Sequence, residues 1–357
     1  MIFSAPKLNA ALRKELDQLD SLREELGGEG ERMAPWMGAL RRTFRASSIE
    51  GSTSIEGYSV EPGEALALTG AGAEPGDDES RQAVACYARA MDHVAAMARD
   101  PGFRWLDRVI LDLHFDACHF QRDKSPGLWR DGPISVTGAG GEIEYRGPDA
   151  EDLPALMSEV VGWLGAGADG AHPVVKAAMA HLNVTSVHPF RDGNGRVARI
   201  VQSLVLAREG LLSPELSSIE EYLSHNTPAY YAALRATQGG SYRPERDATG
   251  WVEFCIRAHA AQARRRLDQI RAAAGRWERL EAEIARRGWP ERFAIALERS
   301  VIGGLDRAGY AAETGVSPAT VSADLRRLRD SGLVRQEGRG PGTRYRASDE
   351  LRSLLAD

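Results

Sequence analysis

Leu8, Leu12, Leu16, Leu19 and Leu22 return at spacings of three and four, and that period recurs along most of the 357-residue chain. Residues so spaced line one face of an α-helix, which turns every 3.6 residues. The pattern predicts helices at about 8–27, 33–47, 78–99, 105–119, 152–165, 171–186, 194–208, 218–237 and 249–287. One internal stretch alternates instead. Pro133-Ile-Ser-Val-Thr137 and Glu142-Ile-Glu-Tyr-Arg146 flank Gly138-Ala-Gly-Gly141, a β-hairpin signal over 131–148. Residues 47–76 hold many turn-formers and end in Gly70-Ala-Gly-Ala-Glu-Pro-Gly76, which reads as a loop. The expected fold is mainly α, with a small hairpin.

Bulk properties narrow the function. With 43% hydrophobic and 27% charged residues, the chain can bury a core across about two domains. A formal net charge of −6 excludes wholesale coating of nucleic acid, so any such contact needs a local patch. Lys7, Lys14, Lys124 and Lys176 are the only lysines, and coding bias is the first explanation. Cys86, Cys118 and Cys255 stand far apart in apolar helical settings, with neither metal spacing nor a disulfide framework. They read as small buried hydrophobes in a reducing compartment. Residues 1–12 lack the apolar core of a secretion signal, and no run of about 18 apolar residues could span a membrane. A cytoplasmic protein is expected.

The most informative stretch is His188-Pro-Phe-Arg-Asp-Gly-Asn-Gly-Arg-Val-Ala-Arg199. One helix ends near Val187, a glycine-rich turn follows, and another helix begins near Asn194. Amides at a helix start are unpaired and lie at the positive end of its dipole. Gly193 and Gly195 let a phosphate approach that backbone. Asp192 beside it is placed to hold Mg²⁺, which binds carboxylate and phosphate oxygens together. Arg196 and Arg199 lie three apart and can clamp further phosphate oxygens. His188 can take a proton from a hydroxyl at neutral pH. A Gly-x-Gly is usually only a turn, a lone histidine usually structural, and an arginine pair usually a solvated face. In this order within twelve residues they leave those readings little room.

The stretch resembles the Fic-family motif His-x-Phe-x-(Asp/Glu)-Gly-Asn-Gly-Arg-x-x-Arg without departure. The resemblance covers about residues 40–240 and implies a Fic-type helical bundle with a hairpin flap. It implies His188 as general base, Phe190 as the apolar anchor and Asp192 as the Mg²⁺ ligand. Gly193, Asn194 and Gly195 would form the anion hole, Arg196 would contact the triphosphate, and Arg199 would face the γ-phosphate. The hairpin resembles the flap that aligns a target segment by strand addition. Gly127-Leu-Trp-Arg130 before it and Pro148 after it suit that reading. Tyr222, Asn226, Tyr230 and Tyr231 resemble the helix closing over the base, although aromatic packing explains them as well residue by residue.

Upstream, Ser47-Ser-Ile-Glu-Gly-Ser-Thr-Ser-Ile-Glu-Gly57 contains Ile-Glu-Gly twice. The family's inhibitory helix reads Ser/Thr-x-x-x-Glu-(Gly/Asn), and only Ser52, Glu56 and Gly57 fit it. By resemblance Glu56 would pair with Arg199 and occupy the γ-phosphate's space, since carboxylate and phosphate compete for one arginine. Glu50 is the fallback, and a helix cap with a solvated carboxylate is the plain alternative.

After the Arg-rich segment 249–287, which reads as a connector, Gly288-Trp-Pro290 ends the helix and about 60 residues remain. Ala308–Thr314 reads as a short helix and Gly315-Val-Ser317 as a turn, with Ser317 as N-cap and Pro318 first in the next helix. Val321, Leu325 and Leu328 face a core, while Ser322, Arg326 and Arg327 point elsewhere. Gly332–Arg335 and Thr343–Arg346 flank a glycine-rich wing. This part resembles a winged helix-turn-helix domain. Residues 301–347 carry eight arginines against five acidic residues, a modest excess for a phosphate-binding face. Ser322, Arg326, Arg327, Arg339 and Arg344 are the candidate DNA contacts, and a protein-binding face would suit them too.

The domain reading is 1–110 for an N-terminal helical region with an inhibitory helix at about 47–57, 111–240 for the catalytic core, 241–290 for the connector and 291–357 for the winged helix. The resemblance implies a protein adenylyltransferase that moves AMP from ATP, with Mg²⁺, onto a protein hydroxyl under a built-in brake. Two other activities stay open: hydrolytic removal of AMP at the same site, and nucleotide-sensing DNA binding by a regulator. The target protein, the trigger and a homodimer are not readable from the residues.

Overall fold

The computed structural model describes residues 1–30, 34–70, 72–138 and 140–356. Its elements run α1 (Ala10–Gly30), α2 (Met37–Ile55), α3 (Pro62–Leu68), α4 (Glu79–Arg99), α5 (Asp107–Cys118), β1 (Ser135–Thr137), β2 (Ile143–Arg146), α6 (Leu153–Gly165), α7 (Pro173–Val187) and α8 (Asn194–Arg208). They continue with α9 (Pro214–Ser217), α10 (Glu220–His225), α11 (Thr227–Gln238), α12 (Thr249–Arg287), α13 (Arg292–Ile302), α14 (Arg307–Thr314), α15 (Pro318–Asp330), β3 (Val334–Glu337), β4 (Arg344–Ala347) and α16 (Asp349–Leu355). Two compact units result: Met1–Gly28 with Arg42–Arg266, and Glu29–Arg41 with Leu267–Asp357. The division falls inside α12 rather than at residue 290. No helix among the described residues is long and apolar enough to cross a membrane.

In the first unit α7 packs along α8, and α4, α5 and α6 pack around the pair. Val174 to Val187 of α7 are all buried, as is nearly all of α8. A helix covered on every side is a core helix, so its polar groups must find partners inside. They do. His181 lies between Gln202 Oε1 and the Tyr230 hydroxyl at 2.6 and 2.9 Å. Asn183 takes the Phe3 amide and donates to the Phe3 carbonyl. The hairpin pairs Ser135 with Arg146 and Val136 with Tyr145, with a register irregularity before Thr137.

Two expectations need correction. The loop expected over 47–76 is largely helical: α2 runs on to Ile55 and α3 covers Pro62–Leu68. The small residues Ser52 and Thr53 are fully buried, and Thr53 and Ser54 return their hydroxyls to the Glu50 and Gly51 carbonyls. Tertiary packing overrides weak helix propensity there. The single helix expected over 218–237 is broken at Asn226, because Pro228 cannot continue a helix and starts α11 instead. Met33, Ala71 and Ala139, each part of an expected element, lie outside the described residues.

In the second unit Ser317 caps α15, accepting from the Thr320 amide, with Pro318 at the helix start and Gly315 left-handed before it. Val321, Leu325 and Leu328 are buried. β3 and β4 pair antiparallel, from Val334 with Ala347 to Glu337 with Arg344.

Candidate active site

The site forms where α7 gives way to α8. Pro189 disfavours helical backbone in the residue before it. α7 therefore stops at Val187, and His188 follows it in a left-handed conformation, φ 50°. Asn194 then closes the loop on itself. Its Oδ1 accepts from the Phe190 amide and its Nδ2 donates to the Phe190 carbonyl, both at 2.9 Å. Its side chain is thus a brace, and only its amide is left for a ligand. Gly193 precedes α8 with φ 77°, and a Cβ there would stand 2.4 Å from Cys118 Sγ, so glycine is required twice over. The first bond back along α8 is Val197 N–H to the Gly193 carbonyl. The amides of Asn194, Gly195 and Arg196 before it are the orphan donors of a helix N-terminus.

Phe190 is fully buried, stacked on His114 at 3.7 Å with Trp129 beside it. His114 accepts the Gly127 amide on Nδ1 and donates through Nε2 to the Asp192 carbonyl. Burial lowers its pKa to about 4, so it serves as a neutral brace. His188 Nδ1 lies 3.1 Å from the Thr185 carbonyl. A carbonyl only accepts, so the proton sits on Nδ1 and Nε2 keeps its lone pair. Burial pulls the imidazole pKa below its usual range, which favours the neutral, proton-accepting form.

A cavity of about 360 Å³ opens here, lined among others by His188, Asp192, Gly193, Asn194 and Gly195 from the loop. Val136 and Thr137 come from the hairpin, and Tyr230, Tyr231 and Gln238 from α11. Tyr222 and Asn226 are not in its lining; Asn226 donates to the Tyr222 carbonyl and ends α10. Arg196 is also absent from the lining. Its guanidinium is buried against the rings of Tyr58 and Phe120, at 5.4 and 5.6 Å, and bonds Gln121 and Asp192.

Arg199 is 1% exposed and held by the end of α2. Its Nε donates to Ser52 Oγ at 2.7 Å, and Nη2 donates to the Ser52 carbonyl and to Glu56 Oε1 at 2.8 Å. Nη1 has no partner among the described residues. Burial alone would lower the arginine's pKa, but the Glu56 carboxylate outweighs it and the charge is retained. Glu56 reaches this position through a helix stop. Tyr58 N–H bonds the Thr53 carbonyl and Gly57 N–H the Ser54 carbonyl, with Gly57 at φ 89°. That is a Schellman cap, and it aims the Glu56 side chain over Gly195, where a Cβ would meet Oε1 at 2.5 Å.

Asp192 suits a hard cation in part. Oδ2 accepts from Gln121 and Arg196, while Oδ1 receives no hydrogen bond among the described residues. No group of three or more His, Cys, Asp or Glu among the described residues could hold a metal unaided. One carboxylate beside a phosphate cradle fits Mg²⁺, which binds through few protein ligands plus substrate phosphates.

Sequence reasoning named Arg130 only as part of the stretch before the hairpin and gave it no role of its own. Its guanidinium donates to the carbonyls of His188, Gly132 and Pro148 at 2.9, 2.6 and 2.6 Å, pinning the hairpin to the loop. Gln121 and Gln238 had no local signal.

Residues 105–206 match the Fic/DOC family model, and the chain carries a Fic/DOC domain. A stretch of 98 residues is 40% identical to a protein named protein adenylyltransferase Fic from Culex quinquefasciatus, covering 27% of this chain and 18% of that protein. The like-named protein of Nematostella vectensis is 24% identical over 252 residues, 67% of this chain and 54% of its own length. The chain thus spans about half, or less, of these curated relatives. A Fic family protein from Desulfovibrio desulfuricans G20 shares the fold at a TM-score of 0.62 and 21% identity, covering 97% of this chain and 98% of that one. Fic-1 from C. elegans does so at 0.58 and 21%, covering 72% of each.

Proposed function

We propose that the first unit is an ATP-dependent protein adenylyltransferase carrying its own brake. The carrying observation is that a base, a helix N-terminus and a carboxylate line one cavity, and that Glu56, which lines it too, already holds the buried Arg199. The names of the relatives support the same reading.

A protein hydroxyl lying against β1 gives its proton to His188 Nε2 as its oxygen attacks the α-phosphorus. The bond from that phosphorus to the bridging oxygen breaks, and diphosphate leaves. The α8 amides cradle phosphate oxygens, and Arg199 takes the terminal ones once Glu56 yields. Asp192 would hold Mg²⁺, which neutralises phosphate charge. Positioning and electrostatics supply most of the acceleration.

The test is transfer of α-labelled phosphate from ATP to protein by wild type, Glu56→Gly and Glu56→Gly/His188→Ala. Weak, strong and absent labelling, in that order, are expected. A Glu56→Gly protein that binds ATP yet labels nothing overturns the reading, and release of AMP from a modified protein would then identify a hydrolase.

We read the second unit as a winged helix-turn-helix with a weak DNA face. Most of its arginines are paired internally: Arg292 with Asp324, Arg335 with Asp349, Arg344 with Asp306 and Arg346 with Glu337. Arg327 packs over Trp289 and Phe293. Ser322 bonds back to the Pro318 carbonyl. Arg326 and Arg339 are exposed and remain for phosphate.

A further inference from the structure

Tyr58 follows the Schellman cap directly, so its ring and the Glu56 carboxylate leave one rigid turn in two directions. Glu56 reaches Arg199, whereas Tyr58 covers Arg196. The Tyr58 ring stands edge-on to Phe120 at 5.6 Å, with the Arg196 guanidinium over both. Gln121 completes the cluster. Its Nε2 donates to the Tyr58 hydroxyl at 3.0 Å and to Asp192 Oδ2 at 2.7 Å, while its Oε1 accepts from Arg196 Nη2 at 2.7 Å. One amide thus links the turn after the brake to the carboxylate assigned to the divalent cation, and that carboxylate has one oxygen tied and one left open.

Resting on the function proposed above, we propose that Tyr58 and Gln121 are positioning residues that make the divalent-cation site answer to the brake's position. With α2 seated, Tyr58 and Arg196 hold the Gln121 amide in one orientation and Asp192 in one rotamer. When the turn at Glu56–Tyr58 shifts, that hold slackens, and the cation is gripped less firmly at the moment Arg199 becomes free. The arrangement is a second arm of the same device, acting through Asp192 rather than through Arg199.

The test is Mn²⁺ binding, read by electron paramagnetic resonance at saturating non-hydrolysable ATP analogue. All variants are made in the full Glu56→Gly chain, so that nucleotide enters without competition. Gln121→Leu keeps the volume and removes both amide ends; a ligand's outer partner typically governs about 10–100-fold in metal affinity, and a loss in that range is expected. Tyr58→Ala should weaken Mn²⁺ several-fold and Tyr58→Phe less, because the ring stays over Arg196. In the Gln121→Leu background, Tyr58→Ala should add little, since the two act as one unit. Metal-free affinity for the analogue should stay within a few-fold throughout, which reports that each variant is folded. Unchanged Mn²⁺ affinity in Gln121→Leu, or independent effects of the two substitutions, would overturn the proposal. Binding is read without any transfer reaction, so it stands or falls apart from the adenylyltransferase reading. If the Glu56→Gly parent itself takes up no Mn²⁺ with nucleotide, Asp192 is no metal ligand and both assignments at that residue fall.

Discussion

Glu56→Gly has a calculable cost. Arg199 is almost fully buried and Glu56 partly so, with 1% and 22% of their side chains exposed. Removing one partner of a fully buried pair costs about 3–5 kcal/mol. Two features reduce that figure. Solvent reaches Glu56, and Arg199 keeps its two bonds to Ser52. Glu56 also sits at a helix C-terminus, where a negative charge is unfavourable by about 0.3–1 kcal/mol. A net loss of about 1–2 kcal/mol follows, a fall in Tm of roughly 2–8 °C at about 2–4 °C per kcal/mol. Nucleotide reverses the sign of the comparison. With Glu56 gone, ATP phosphate can neutralise Arg199, so saturating ATP with Mg²⁺ should raise the variant's Tm by more than the wild type's. Scanning calorimetry of both proteins with and without nucleotide checks this. Equal Tm values without ATP, together with equal ATP-induced shifts, would refute the account of Arg199 as a buried cation that needs a counter-ion.

The pH profile of kcat/KM for transfer by Glu56→Gly should fall on acidification with a midpoint below the usual imidazole value of about 6.5, since burial depresses the His188 pKa and the reaction needs its neutral form; a midpoint above that value would exclude His188 as the base. Stability should fall between pH 6.5 and about 4, because His114 and His181 titrate at about 4 and about 3 when folded but take up protons at about 6.5 when unfolded. Each contributes about 1.4 kcal/mol per pH unit across that window, and His114→Gln should flatten a chemical-denaturation series there. Asn194→Ala removes two buried bonds to Phe190, worth about 0.5–1.5 kcal/mol each, and should lower both Tm and turnover; unchanged turnover would mean the loop holds without its brace. If the second unit binds DNA through Arg326 and Arg339, the full chain should show a salt slope of only about −2 in log K against log salt, at about −0.9 for each. A slope steeper than about −5 would place the DNA face elsewhere.

What could be read from the chain was local. The turn from His188 to Asn194 carries its own instructions, a proline that stops α7 and glycines that let α8 begin, and His188, Asp192, Gly193 and Asn194 line the cavity. Glu56 was singled out by the resemblance, through the spacing from Ser52 to Gly57, since Ile-Glu-Gly alone also occurs at 49–51 inside α2. The buried setting of Arg196 was not legible, because position on a helix face says nothing about a ring 138 residues earlier, and the guanidinium packs on Tyr58. Nor was the helix break at Asn226, ahead of Pro228, which leaves Tyr222 and Asn226 outside the lining that Tyr230 joins. The helix expected at about 47–57 does close α2, although its turn-formers also made the stretch read as a loop; its stability lies in burial, not in propensity.

β1 is three residues long, and β2 occupies one of its edges. A segment added along its other edge gains about two ladder hydrogen bonds, each netting about 0.5–1.5 kcal/mol. That sum is below the roughly 4 kcal/mol of even a millimolar complex. If the hairpin aligns a target as proposed, it can set where a hydroxyl stops without deciding whose hydroxyl it is. Because main-chain bonding ignores side chains, any extended segment would be accepted and quickly let go. Selectivity in such a design is a matter of dwell time, conferred by whatever surface outside the hairpin keeps one partner nearby longer than the rest.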